Sequence, residues 1–286
     1  MDNMKLEEEN GIIYPYIVFK IFGKLYCVTS KYISTIMQLP NFEKLPDADP
    51  CITGVYTCRG ELVQMLDLRT LFRMPSLAQE YQEFSSMIDV RKQDHINWVN
   101  ELKKSVAENY QFPLATDPHK CAFGRWYDSF YSENNEVNLY LKKLEFPHKA
   151  LHEAAVKVGE CNRDCGNCKR EKCLEVALKE AEDLYMPQVL DLLDGVKEVF
   201  KSAIYHEMSL VLNGGRGIAI VVDEVLSVEQ LTDVEETPEG GRFKGTPYIS
   251  GVKKSAGIDG LIMEIDVPAI IKPYQKDREG KKEFQA

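Results

Sequence analysis

The sequence has no uncharged apolar run approaching the ~18 residues that a membrane-spanning helix needs. Its N-terminal stretch, M-D-N-M-K-L-E-E-E-N, has no apolar core of the kind a secretory signal carries. A cytoplasmic location is therefore expected, without membrane insertion. Basic residues are outnumbered, 35 against 45 acidic, for a formal net charge of -10. Phosphate backbones and anionic lipid both need a basic footprint, so neither nucleic acid nor a lipid surface is expected as the main partner. Tryptophan is scarce, with only Trp98 and Trp126, and there are five histidines. What the chain does have is a 44% hydrophobic content over 286 residues, enough for one large or two medium domains. Its eight cysteines argue against a disulfide framework in an intracellular chain. Cys27, Cys51 and Cys58 lie among apolar strand residues and read as core filling.

The two ends of the chain are β-rich. Residues 14–29 form two short apolar runs broken at Gly23-Lys24, a hairpin pattern. Lys31 to Leu39 has helical spacing in Ile33, Ile36 and Met37, and is expected to end at Pro40. Ile52–Tyr56 and Leu62–Leu66 follow as strands around a turn near Arg59-Gly60, and Asp67 leads into a short helical turn at Leu71-Phe72. Near the other end the pattern recurs. Ile249-Ser250-Gly251-Val252 echoes Ile52-Thr53-Gly54-Val55, and Leu261 to Asp266 repeats the leucine-to-aspartate interval of Leu62 to Asp67. Between them, Met208–Leu212 and Ile218–Val222 flank Asn213-Gly214-Gly215, a strong hairpin signal. The repeat points to two related small β-barrels sharing a core.

The middle of the chain is helical. Phe84, Ile88, His95, Val99, Leu102 and Val106 recur at intervals of three and four, as do Leu141, Leu144, His148, Leu151, Ala155 and Val158. Cys121 to Tyr131 reads as a shorter helix after Pro118. A fourth runs from about Glu171 to Phe200, with a kink or break expected at Pro187. Four amphipathic helices with short links imply an antiparallel bundle. His148 and His152 are four apart, so both imidazoles face one way. Joined by His95 and the Cys121 thiolate from neighbouring helices, they make a three-histidine, one-cysteine set suited to tetrahedral zinc. Trp98 and Trp126 are expected to wall that site, and His119 to lie at the surface.

Four further cysteines, Cys161, Cys165, Cys168 and Cys173, crowd a loop rich in Gly, Asn and Arg. This loop is a candidate second metal or redox site, for a second zinc ion or an iron–sulfur cluster. A redox enzyme built on it is the rival to a non-enzymatic reading. Catalysis at the first site is disfavoured, because four protein ligands leave no position for water. The glutamate of a zinc protease helix is also missing, since Lys149 follows His148.

The outer segments resemble the CheW family of bacterial chemotaxis coupling proteins, through T-C-R-G-E-L-V-Q-M-L-D-L-R (Thr57 to Arg69), G-I-A-I-V-V-D-E-V (Gly217 to Val225) and Tyr248 to Asp266. The middle resembles the CZB, or chemoreceptor zinc-binding, domain through H-x-x-W at His95, C-x-x-G-x-W-Y at Cys121 and H-x-x-x-H at His148 and His152. The resemblance implies an α+β protein: a pair of SH3-like barrels, residues 1–83 and 207–286, interrupted by a four-helix zinc-binding bundle at 84–206. It implies as partners the histidine kinase CheA and the cytoplasmic tips of chemoreceptors. It also implies a zinc site sensitive to zinc supply or to an oxidant such as hypochlorous acid. Arg59 matches the family arginine associated with receptor contact. Thr35 stands where the family usually has a glutamate, and Cys58 where it usually has a leucine.

Overall fold

A computed structural model describes residues 8–9, 12–132, 134–161, 170–213, 217–234 and 246–279. The chain divides into two compact units, residues 1–76 with 205–286, and residues 77–204.

The first unit contains the strands. After the short pair β1 (Glu8–Glu9) and β2 (Ile12–Ile13) come β3 (Tyr16–Ile21), β4 (Lys24–Thr29), β5 (Ile33–Gln38), β6 (Ile52–Cys58), β7 (Glu61–Asp67) and helix α1 (Leu68–Leu71). Once the chain returns, it forms β8 (Met208–Leu212), β9 (Ile218–Val222), β10 (Glu224–Glu229), β11 (Thr232–Asp233), β12 (Ile249–Lys254), β13 (Ile262–Ile265) and helix α8 (Val267–Glu279). One sheet has the order β10-β3-β4-β13-β12-β11 and the other β5-β8-β9-β7-β6. Each therefore mixes early and late strands: hairpin β3–β4 is extended by β13, parallel to β4, and hairpin β8–β9 by β7, parallel to β9. The hairpin turns are tight. Phe22-Gly23 and Arg59-Gly60 both take two successive positive φ values, the primed geometry that matches strand twist.

The sequence echo has a backbone basis. Both copies carry a register shift at their glycine, between Ile52 and Gly54 and between Ile249 and Gly251. Both aspartates then close the unit in the same way. The Asp67 N–H donates to the Cys51 carbonyl at 2.8 Å, and the Asp266 N–H to the Tyr248 carbonyl at 2.9 Å. Each carboxylate accepts from a backbone N–H at the start of the following helix, Arg69 or Ala269. Alternation along the strands produces one shared core and two satellites. Ile17, Phe19, Ile21, Ile218, Ile220 and Val222 enter the shared cluster. Their neighbours Ala219 and Val221 enter a second cluster, and Tyr16 and Val18 a third.

One element departs from expectation. Residues 33–38 are a strand, not a helix: β5 pairs antiparallel with β8, from Ile33 opposite Leu212 to Gln38 opposite Met208. Its burial alternates, leaving Ser34, Ile36 and Gln38 exposed, so Ile36 does not share a face with Ile33 and Met37. Two β-branched isoleucines and a threonine suit this edge strand.

The second unit is helical: α2 (Leu77–Ala107), α3 (Ala122–Ser129), α4 (Asn135–Lys142), α5 (Glu145–Cys161), α6 (Arg170–Lys179) and α7 (Met186–Ile204). Helix α2 starts at Leu77, ahead of the expected Phe84, and α4 is separate from α5. Pro147 sits in the first turn of α5, where its missing N–H costs no helical bond. The last helix is not broken at Pro187. A π-helical stretch, Glu180–Tyr185, joins α6 to α7 just ahead of the proline, where the carbonyl four residues back would have no N–H to accept. Gly195 of α7 lets Tyr140 of α4 approach, since a Cβ there would lie 1.9 Å from the tyrosine oxygen. No helix among the described residues is long and apolar enough to cross a membrane.

Candidate metal centre

His95 lies on the buried stripe of α2, between Ile88 and Val99, and is 3% exposed. His148 and His152 lie one turn apart on the buried face of α5, at 6% and 0%. The three rings meet edge to face, with centroids 4.8 to 6.2 Å apart. Cys121 completes the group, but not from within a helix: it is the N-cap residue of α3. Its sulfur accepts from the Gly124 N–H at 3.1 Å and lies 3.4 Å from His148 Nε2. One ligand atom from each of the four residues lies within 4.8 Å of the others. A tetrahedral zinc with bonds of ~2.0–2.3 Å needs ligand atoms roughly 3.3–3.6 Å apart, so modest closure completes the sphere.

The hydrogen bonds behind the rings show what the site is built for. His95 Nδ1 is 2.7 Å from the Arg91 carbonyl, one turn back on α2. His152 Nδ1 is 3.1 Å from the Ala115 carbonyl, in the segment between α2 and α3. A carbonyl only accepts, so in both rings Nδ1 carries the proton and Nε2 is a bare lone pair. Those two Nε2 atoms are buried without a partner. Buried polar atoms left unpaired cost ~1–3 kcal/mol each, and a pair of them converging beside a thiol is a ligand set. The chemistry fits zinc: imidazole nitrogens, one thiolate, and a carbonyl behind each of two rings.

The electrostatics agree. Burial lowers all three imidazoles, and the neighbouring rings lower His148 and His152 further, to about 2 and about 4. All three are thus neutral at physiological pH, the form that binds metal. Burial pushes the Cys121 thiol up, against the pull of the Gly124 and Phe123 N–H groups, so without a cation the sulfur keeps its proton.

Gly124 explains the glycine of the C-x-x-G motif. A Cβ there would meet the Pro118 carbonyl oxygen at 1.9 Å, so only glycine lets the preceding segment fold tightly over the α3 N-terminus. Trp98 walls the site directly, its ring 4.8 Å from that of His152 and its Nε1 donating to the same Ala115 carbonyl at 2.9 Å. Trp126 is one layer back. The ring against the histidines is Phe123, 5.0 Å from His148 and 5.8 Å from His95, with Trp126 tilted against it at 5.6 Å. His119 is 69% exposed and pairs with Asp128. Sequence spacing does not reveal Phe123 or the two carbonyls; backbone acceptors leave no trace in residue identity.

The Cys161–Cys173 loop lies mostly outside the described residues. Cys161 ends α5 and is half-buried, while Cys165, Cys168 and the side chain of Cys173 are not described. Arg59 sits at the tip of the β6–β7 hairpin, beside a cavity of about 270 Å³ also lined by Thr35, Cys58, Glu61 and Asn213. Among the described residues its guanidinium has no ion-pair partner.

A mixed-sheet body interrupted by a helical unit with a buried imidazole–thiol cluster defines a two-domain chain of recognisable class. Residues 15–97 match the family model of the CheW-like domain, and residues 95–158 match that of the chemoreceptor zinc-binding domain. The second match runs from His95 past His152 and spans all four clustered residues. Among solved structures the chain is similar to the scaffolding protein TtCheW from Thermoanaerobacter tengcongensis, at 10% identity and a TM-score of 0.39 over 89% of each chain. A search of curated proteins returns no match.

Proposed function

We propose that this protein is a cytoplasmic, non-enzymatic adaptor that links chemoreceptor tips to the histidine kinase CheA. In this reading residues 1–83 and 207–286 form the coupling body, a pair of SH3-like barrels. Residues 84–206 form an inserted zinc-binding bundle that makes coupling responsive to zinc or to hypochlorous acid. The observation that carries the reading is the pair of buried, unpartnered Nε2 atoms of His95 and His152 facing His148 and Cys121, in a chain that also matches the CheW-like domain.

Zinc, when bound, supplies a four-way cross-link and keeps the Cys121 sulfur as thiolate, the nucleophilic form. The chain's own residues do the rest. The Arg91 and Ala115 carbonyls aim two rings inward, and Phe123 and Trp98 keep water from the cluster. The Cys121 thiolate would attack the chlorine of hypochlorous acid and release hydroxide; water would then displace chloride from the sulfenyl chloride, leaving a sulfenic acid, a poor ligand. Losing the Cys121 link frees the N-terminus of α3.

Arg59 is the proposed receptor contact. With Thr35 in its cavity rather than the family's usual glutamate, no carboxylate from that position competes for the guanidinium.

The test is metal content together with capture by CheA and receptor tips, with and without chelator. One zinc per chain and capture that changes when the metal is stripped are expected. Capture indifferent to chelator and to oxidant would reduce the zinc to a structural role, and absence of stoichiometric zinc would overturn the site.

A further inference from the structure

The four candidate ligands are not held alike. The Nδ1 atoms of His95 and His152 are fixed by carbonyls, so both rings are set in the tautomer that presents Nε2. The fixing of His152 has a second layer. Its acceptor, the Ala115 carbonyl, also takes the Trp98 indole N–H, and the Trp98 ring is braced edge-on by Phe112 at 5.0 Å. His148 differs. Among the described residues its Nδ1 has no hydrogen-bond partner, and its Nε2 faces the Cys121 sulfur. Cys121, in turn, is held by the turn at the start of α3, through the Gly124 and Phe123 N–H groups and the Pro118 carbonyl.

We propose that the site works in two halves: a preset pair, His95 and His152, that captures zinc, and a closing pair, Cys121 and His148, that adjusts to the captured ion, with Trp98 as the positioning residue of the preset half. This rests on the zinc reading above. Because the preset rings lie on α2 and α5, metal capture does not alter which way those helices face. The closing half includes the only ligand outside them, at the head of α3. Loss of the sulfur then leaves a weaker two- or three-histidine site rather than an empty one.

Histidine ring nitrogen NMR on the full chain at pH 7.5 reads the tautomers directly. In metal-free protein His95 and His152 are expected as single Nδ1–H tautomers and His148 as a mixture, with exposed His119 and His206 as internal references. Zinc should move all three rings to the Nε2-bound form. Trp98→Phe, which removes the N–H but keeps an aromatic ring, should turn His152 into a mixture, leave His95 unchanged and weaken zinc binding ~10-fold, in the range expected of outer partners. In Cys121→Ser, zinc should still perturb His95 and His152, at lower affinity. A single fixed tautomer for His148 in the metal-free chain, or mixtures at His95 and His152, would overturn the division into halves. Both of those outcomes are read on the wild-type protein, so they decide the matter even if Trp98→Phe fails to fold. Zinc that perturbs no ring would instead overturn the zinc reading itself, so the two failures are distinguishable.

Discussion

The two units treat their buried ionisable groups in opposite ways. In the strand unit buried charges are closed off. Arg69, 6% exposed, donates to both Asp223 oxygens at 2.7 and 2.6 Å and to the Pro75 carbonyl, and Lys253, 4% exposed, sits between Asp233 and Glu264. In the helical unit two of the three buried histidines, His95 and His152, leave Nε2 without a partner, and the carboxylates of the ion pairs are well exposed. The paired charges stabilise the strand unit, whereas the unpaired imidazole nitrogens carry a cost in stability that a ligand would remove. Substitution, pH and salt each press on that contrast at a different point.

The largest effect is expected at the unpaired nitrogens. His152→Ala removes a preset ligand, and zinc affinity should fall by more than the ~10–100-fold that loss of an outer partner costs. Competition with a calibrated chelator checks this. Unchanged affinity would place the metal elsewhere.

Next is the closed-off charge. Arg69→Met strands Asp223, whose side chain is 15% exposed. Removing one partner of a buried pair costs ~3–5 kcal/mol, and urea unfolding followed by amide exchange in β8 and β9 should show a loss of that size. A loss under ~1 kcal/mol would mean that the pair behaves as a solvated one.

The third contrast is in the direction of the pH response. The three imidazoles are lowered on folding, so the metal-free helical unit has their full contribution above the ordinary pKa of 6.5. It loses that contribution as pH falls toward the folded values, about 4 for His152 and about 2 for His148. In the strand unit the opposite holds for Glu207. Burial and the nearby Asp67 and Asp223 charges raise its carboxyl from 4.5 to about 7. Folding favours its neutral form, so its contribution is complete below 4.5 and is lost as pH rises through about 7. Trp98 and Trp126 are the only tryptophans and both lie in the helical unit, so their fluorescence isolates that half. Its stability should rise from pH 4 to 6.5 in metal-free protein, while Glu207→Gln should flatten the pH 4.5–7 dependence of exchange in β8 and β9. Parallel pH trends in the two halves would contradict the assignment.

These differences also mark what residue order makes legible. The two aspartate-ended repeats are visible because each aspartate does the same backbone job, closing onto Cys51 or Tyr248 and capping a helix. The buried stripes of α2 and α5 are visible because side chains at intervals of three and four must share a face. The β5 strand is misread because three apolar residues at helical intervals also fit an alternating edge strand with one exposed isoleucine. The separate α4 is missed because the apolar spacing of Leu141 and Leu144 runs on across the break between helices. At the site, side-chain donors can be read from spacing, but the Ala115 and Arg91 carbonyls that set the rings cannot. The C-x-x-G glycine is visible as a motif, yet its reason, the Pro118 carbonyl 1.9 Å from any Cβ, exists only in three dimensions.

The smallest effect is expected where the helical unit carries its charges. Lys92 and Asp89 on α2 face Asp194 and Lys197 on α7, in a small network whose carboxylates are more than half exposed. Solvent screens such pairs, and exposed ion pairs contribute ~0–1 kcal/mol. The same two helices are joined beneath by Phe84 stacked on Phe200, with centroids 3.9 Å apart, which does not depend on salt. Lys92→Ala should therefore shift the urea midpoint, read by tryptophan fluorescence, by less than ~1 kcal/mol, and ~0.5 M salt should erase most of that shift by shortening the screening length. The Arg69→Met loss in the strand unit should survive the same salt, because its partners are shielded from solvent. If salt abolished both effects equally, burial would not be what separates the charges of the two units.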